Sequence, residues 1–262
     1  MPYRLVKGTF ALSYRSSRLV GSQPDGDSLW FKPDNPKLLS GVGGRSAEFN
    51  GGGFAQLRLE GIDALELHYP GKEHQHAGAA VAARDYLLKS AGFKEVEYAP
   101  DPEIPRHVRS SKPVEVRGYI LTNAIDPYRR PVAFVFAGTN GTKDGANIFL
   151  NVALLNHSLN AALMKAGQVY PAYYAARKGV GGLPVDLREH LTALAVDAWN
   201  DDKGLWPVDA SRSNPRVSGI SDLRQLAIWP KLYRRLATYF QGDNKKLDGF
   251  VPWLRKEPED RD

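Results

Sequence analysis

The chain is predicted to be an α+β protein in which short strands form a small sheet or barrel, two helices are interleaved with them, and a more helical part follows. Three observations predict this. Short runs rich in β-branched and aromatic residues recur through the first half, two segments carry apolar residues at helical spacing between them, and helical patterns dominate beyond residue 184.

The strand runs are "YRLVKGTFALSY" (3–14), "SLWF" (28–31), "FAQLRLEG" (54–61), "FKEVEYA" (93–99), "VEVRGYILT" (114–122) and "PVAFVFAG" (131–138). The last two flank "NAIDPYRR" (123–130), whose Asn, Asp and Pro are turn formers, so they are expected to make a hairpin with a charged tip. The Gly-, Pro- and Asn-rich stretch 33–53 is expected to be a long surface loop with nothing to bury. In 77–92, Ala80, Ala83, Leu87, Leu88 and Ala91 form an apolar stripe that Gly92 ends. A second stripe over 151–166 uses Leu154, Leu155, Leu159, Ala162 and Leu163 and stops at Gly167. Helical patterns cover 184–199 and 221–240, the latter kinked or broken at Pro230. In its second half the charges of "KLYRRLATYF" are expected to form one solvated helix face, with Leu232, Leu236 and Tyr239 inward.

Composition narrows the function. No apolar run approaches the ~18 residues of a membrane span, so no membrane partner is expected. The absence of cysteine excludes disulfides, thiolate metal sites and cysteine nucleophiles. The N-terminus reads as a strand rather than a secretory signal, which makes the expected location cytoplasmic by default, or secreted if a signal has been trimmed away. A net charge of +6 favours polyanionic partners, nucleic acid first among them.

Charged residues gather where one strand ends. "QLRLEGIDALELHYP" (56–70) places Arg58, Asp63, Glu66 and His68 close together, and "PDGDSLWF" (24–31) sets Asp25 and Asp27 around a glycine just before another strand. Taken singly these are a surface ion pair and a hairpin turn. Together with Arg130 they contain what phosphodiester hydrolysis requires: guanidinium forks for phosphate oxygens, carboxylates for a hard cation, and a carboxylate for the attacking water. His68, His74 and His76 offer a rival zinc reading, which the polarity of their loop disfavours. His107, His157 and His190 are scattered and belong to no triad pattern.

The elements "DGDSL", "RLEGIDALE" and "DPYRRPVAFVF", in that order, resemble the thermonuclease, or staphylococcal-nuclease-like, family. The resemblance covers roughly residues 3–200. It implies a five-stranded OB-type β-barrel with about three helices, with insertions at 33–53 and 100–113. It divides the chain into a nuclease domain at 1–204 and a C-terminal helical extension at 205–262, packed on it or separate. Carried over, Asp27 and Asp63 would be Ca²⁺ carboxylates, or ligands of another divalent cation, with the Ala64 carbonyl a further ligand. Arg58 and Arg130 would hold the phosphate and stabilise the transition state, Glu66 would position the water, and Tyr128 and Tyr173 would line the nucleotide pocket. The chain departs from the family at Leu65, where Pro is frequent, and at Arg129, where Gly is usual.

The expected function is therefore metal-dependent hydrolysis of DNA, and secondarily RNA, with little sequence specificity and a preference for single-stranded or frayed substrates. A catalytically inactive nucleic-acid-binding module on the same fold is the alternative. A protein partner for the C-terminal helices is compatible with either.

Overall fold

A computed structural model describes residues 2–12, 23–100, 107–173, 182–242, 244 and 246–256. In chain order the strands are β1 (Tyr3–Ala11), β2 (Trp30–Pro33), β3 (Ala55–Gln56), β4 (Arg58–Leu59), β5 (Ile62–Asp63), β6 (Glu95–Tyr98), β7 (Val108–Lys112), β8 (Glu115–Ile125), β9 (Pro131–Ala137), β10 (Asn147–Ile148) and β11 (Tyr170–Pro171). The α-helices are α1 (Ala77–Ala91), α2 (Val152–Leu155), α3 (Leu159–Lys165), α4 (Val185–Asn200), α5 (Ile220–Leu223), α6 (Pro230–Gln241) and α7 (Phe250–Lys256).

The main sheet runs β3-β2-β1-β8-β9-β4, with β10 added on β1. Its two ends are one stretch of chain, since only Leu57 separates β3 from β4. The first half of that stretch pairs antiparallel with β2, Trp30 opposite Gln56, and the second half pairs parallel with β9, Arg58 opposite Val132. The sheet thus nearly closes into a barrel, and the protein is a mixed α+β fold. Backbone bonds from Leu57 N to Leu29 O (2.8 Å) and from Leu59 N to Asp27 O (3.1 Å) carry the β2 pairing onward.

Closure depends on side chains as well. Asn160, fully buried on α3, accepts from Val135 N (3.0 Å) and donates to the carbonyls of Glu60 (2.9 Å) and Ala133 (3.1 Å). It satisfies backbone groups of β9 and of the residue after β4 where, among the described residues, no further strand does so. Inside, Phe10, Phe31, Ile120, Leu121 and Phe134 meet Leu87 and Leu88 of α1 and Leu163 of α3. Gly8 and Gly118 face each other across β1 and β8, and a Cβ on Gly118 would fall 2.1 Å from the Phe10 ring.

Several expectations are corrected in detail. The loop 33–53 contains a 3₁₀ turn at Pro36–Leu39 and buries Leu39, Val42 and Ala47 in the core. Part of the supposed insertion 100–113 is strand β7, paired with β6. The helix expected over 151–166 is two helices, because Ser158 bonds Ala161 N (3.1 Å) as a cap and restarts the chain. The pattern 221–240 breaks as expected, with Pro230 opening α6 where its missing N–H costs nothing. Gly92 and Gly167 end their helices with φ of 110° and 66°.

The C-terminal segments lie against the barrel. Leu205 N bonds Gly167 O (2.8 Å), and Leu205 and Ala227 share an apolar cluster with Leu65, Leu67, Ala80 and Tyr170. A further cluster of Leu223, Ile228, Tyr233, Leu236, Ala237, Tyr239 and Phe240 packs on Tyr69. Among the described residues no helix is long and apolar enough to cross a membrane.

One acid with an enclosed carboxyl group is held at a cost to stability. Burial pushes Glu60 up to about 8, with Oε2 enclosed close to the Tyr3 hydroxyl. The folded protein therefore holds this proton more tightly than the unfolded chain does, so the group penalises folding increasingly from about pH 4.5 to about pH 8. Glu60→Gln is expected to raise the melting temperature at pH 8 and to leave it nearly unchanged at pH 4, which parallel thermal melts would check.

Candidate active site at the barrel closure

The site is built at the end of the barrel where β2 and β4 meet. Asp27 lies in the turn before β2, and its carbonyl accepts from Leu59 N, so the backbone itself places Asp27 beside Arg58. Beyond β4 the chain turns at Gly61, where φ is 79°, and enters β5. That strand pairs with β11, Asp63 opposite Tyr170, which fixes Asp63 at the head of the loop 64–76.

Four of the expected residues converge here with Ala64. Ala64 N donates to Asp27 Oδ2 at 3.2 Å, tying the two carboxylate-bearing turns together. Arg58 Nη2 stands 3.6 Å from Asp63 Oδ1. Asp63 is 1% exposed, and Glu66, three residues on, is also largely enclosed. Glu66 is positioned by a residue absent from the sequence-based reading. Gln75, fully buried, accepts from Glu66 N through Oε1 (3.0 Å) and donates through Nε2 to Ile228 O (2.7 Å), while its own N–H bonds Glu66 O (2.8 Å).

The largest departure from expectation is Arg234 of α6. Its Nη1 lies 3.2 Å from Asp63 Oδ1 and 2.7 Å from Glu66 Oε1, and its Nη2 lies 3.0 Å from Asp63 Oδ2. The charges of this helix are thus not all on a solvated face. Leu236 and Tyr239 are buried as expected, but Arg234, Thr238 and Gln241 form a polar stripe at helical spacing. That stripe lies on the site loop: Tyr69 donates to Arg234 O (3.2 Å) and meets Thr238 Oγ1 (2.9 Å), and Gln241 donates to Pro70 O (2.9 Å). The signal was present as residues spaced four and three apart, together with three acids needing a counter-charge.

Burial dominates the electrostatics. It raises Asp63 above the ordinary carboxylate range, assisted by the neighbouring charge of Asp27 and opposed by Arg234 and Arg58. It pushes Glu66 up to about 8, with Asp25 and Asp27 adding to the rise and Arg234 opposing it. Burial alone would lower Arg234, but Asp63 and Glu66 outweigh it and hold the guanidinium above its usual value. The fold therefore concentrates like charge in a poorly solvated place.

The remaining predicted residues make their contacts outside this cluster. Arg130 follows the tip of the β8–β9 hairpin, where Asp126 accepts from both its backbone N and its Nε at 2.7 Å. Its guanidinium lies 5.4 Å from the Tyr128 ring, which is 55% exposed. Val132, two residues past Arg130, is the register partner of Arg58, so the tip belongs to the same end of the barrel. Tyr173 follows β11 and is directed elsewhere, its hydroxyl donating to Arg188 O (3.2 Å) and meeting Thr192 Oγ1 (3.0 Å) on α4.

The three loop histidines have three separate partners. His68 Nδ1 is 2.8 Å from Asp25 Oδ1, His74 Nδ1 is 2.7 Å from Gln75 O, and His76 caps α1 by accepting from Ala79 N. Among the described residues, no group of three or more His, Asp or Glu side chains is arranged to hold a metal ion. Asp27 and Asp63 would offer carboxylate oxygens, the donors that a hard divalent cation takes, once Arg234 yields Asp63. No family model matches the chain, and no curated protein matches it.

Gln75→Ala would leave the Glu66 N–H and the Ile228 carbonyl buried without these partners, at about 1–3 kcal/mol for each group. The expected result is a lower melting temperature and faster hydrogen exchange across 64–76, with exchange in β1 and β8 lowered in protection only as far as global stability falls.

Proposed function

We propose that this chain is a metal-dependent nuclease of the thermonuclease type, built on an OB-type barrel, that hydrolyses phosphodiester bonds in DNA and secondarily RNA. The observation that carries the reading is the convergence of Asp27, Arg58, Asp63 and Glu66, from two separate segments, at one end of a nearly closed barrel. The strand order, with β3 and β4 as one stretch parallel to β9, supports an OB-type barrel. Arg129 supports the register of the third motif. It takes φ of 63°, a conformation glycine adopts without strain, at the position where the resembled family carries glycine. Arg130 is thereby favoured over Arg129 as the second phosphate-binding guanidinium.

In this reading Arg58 and Arg130 present planar forks to the phosphate oxygens and gain strength in the transition state, when those oxygens carry more charge. Glu66, three residues past Asp63 and largely enclosed, would accept a proton from the attacking water in its ionised form. A divalent cation such as Ca²⁺, held by Asp27, Asp63 and the Ala64 carbonyl, would supply positive charge against the negative charge that develops at phosphorus. The exposed ring of Tyr128 offers a stacking face for a base of any identity, which suits single-stranded or frayed substrates. Tyr173 serves packing against α4 better than substrate binding.

A second reading, an inactive nucleic-acid-binding module, is favoured by one observation: Arg130 and Glu66 are both engaged, by Asp126 and Arg234. Incubating the full chain with labelled single-stranded DNA, duplex DNA and RNA in Ca²⁺ decides between them. Cleavage is expected, faster on single strands, and abolished by EDTA. Glu66→Gln and Arg58→Ala are each expected to lower the rate about 10²-fold or more. Cleavage that survives EDTA and both substitutions would overturn the mechanism, and binding without cleavage would establish the second reading.

A further inference from the structure

The C-terminal segment contributes a charged group to the site, and its chemistry resembles that of the cation it would meet there. Arg234 covers both oxygens of Asp63 and one of Glu66, at 3.0, 3.2 and 2.7 Å. Its side chain is 19% exposed, and its backbone is fixed by α6, whose Tyr233, Leu236, Ala237 and Phe240 are buried. A cation brought to Asp63 must therefore either replace this guanidinium or share the carboxylate with it.

We propose that Arg234 is a tethered counter-cation that competes with the divalent ion for Asp63 while also holding Glu66, so that the C-terminal extension sets the cation concentration at which the site loads. The inference rests on the nuclease reading of the same residues and adds an element to it: residues outside the motif-bearing part control its cofactor. A group on the same chain acts at high effective concentration and needs no partner. It adds to Arg58 in compensating carboxylates that are enclosed together. The same contact keeps Glu66 engaged until the ion arrives, which protects the site from acting without its cation. Coupling of this kind is reciprocal, so the ion weakens the Arg234 contact by the same factor as that contact weakens the ion.

The test is titration calorimetry of Ca²⁺ into the full chain without nucleic acid, comparing wild type, Arg234→Gln and Arg234→Lys, with circular dichroism to verify the fold of each. Arg234→Gln is expected to bind Ca²⁺ about ten-fold more tightly than wild type. Arg234→Lys keeps the charge but cannot span both carboxylates with a rigid fork, and is expected to fall between them. It also serves as the decisive variant if Arg234→Gln does not fold. Asp27→Asn, expected to weaken binding, confirms that the heat reports this site. Equal or weaker binding in the folded Arg234 variants would overturn the inference while leaving the cation site intact. Absence of Ca²⁺ binding in wild type and variants alike would overturn both the inference and the metal-dependent reading on which it rests.

Discussion

The double pairing of residues 55–59 is the constraint on which the rest depends. One short stretch gives its first hydrogen bonds to β2 and its later ones to β9, so a six-strand path returns almost to its start without a dedicated closing strand. The backbone groups left over at this junction are taken by Asn160, reaching in from α3. Because the closure is fixed by main-chain bonds, the side chains it carries are fixed as well. Arg58 stands in the closing stretch, Asp27 lends its carbonyl to the same ladder, and Asp63 follows one tight turn later.

This placement concentrates charge where water is scarce. Asp27, Asp63 and Glu66 bring three carboxyl groups together, and Arg58 and Arg234 are the cations that reach them. Removing such groups from water is unfavourable, and structures keep them only when partners are well placed or the arrangement serves a purpose. The partners here come from the barrel on one side and the C-terminal helix on the other. Apolar packing of Tyr233, Leu236 and Phe240 holds the helix in place, while the polar stripe at Arg234, Thr238 and Gln241 does the local matching.

Much of this was legible in the sequence, for reasons that differ between elements. The stripe of α1 and its terminal glycine follow from helical geometry alone, and the strand runs that form β1, β8 and β9 declare themselves through β-branched and aromatic residues. The clustering of Arg58, Asp63 and Glu66 is local and readable, and Asp27 joins it only because two strands pair. Burial of Leu39, Val42 and Ala47 inside a glycine-rich loop was not legible, since single apolar residues between turns carry no period. Ser158 interrupts a continuous apolar pattern through a hydrogen bond that a periodicity count does not weigh. Gln75 and Arg234 escaped for a different reason: their meaning lies in partners far along the chain, Ile228 for the first and Asp63 with Glu66 for the second.

The joint at residues 75 and 76 has a consequence for how this architecture can change over generations. Gln75 reaches Ile228, and His76 N bonds Leu226 O while its ring caps the first turn of α1. Barrel helix, acidic loop and terminal helices thus meet within two adjacent positions, so drift in any one of them must be matched in the others. The exposed hairpin tip around Tyr128 lies outside this joint and is free to change alone, whereas the acidic loop and the α6 face are bound to change as a single block.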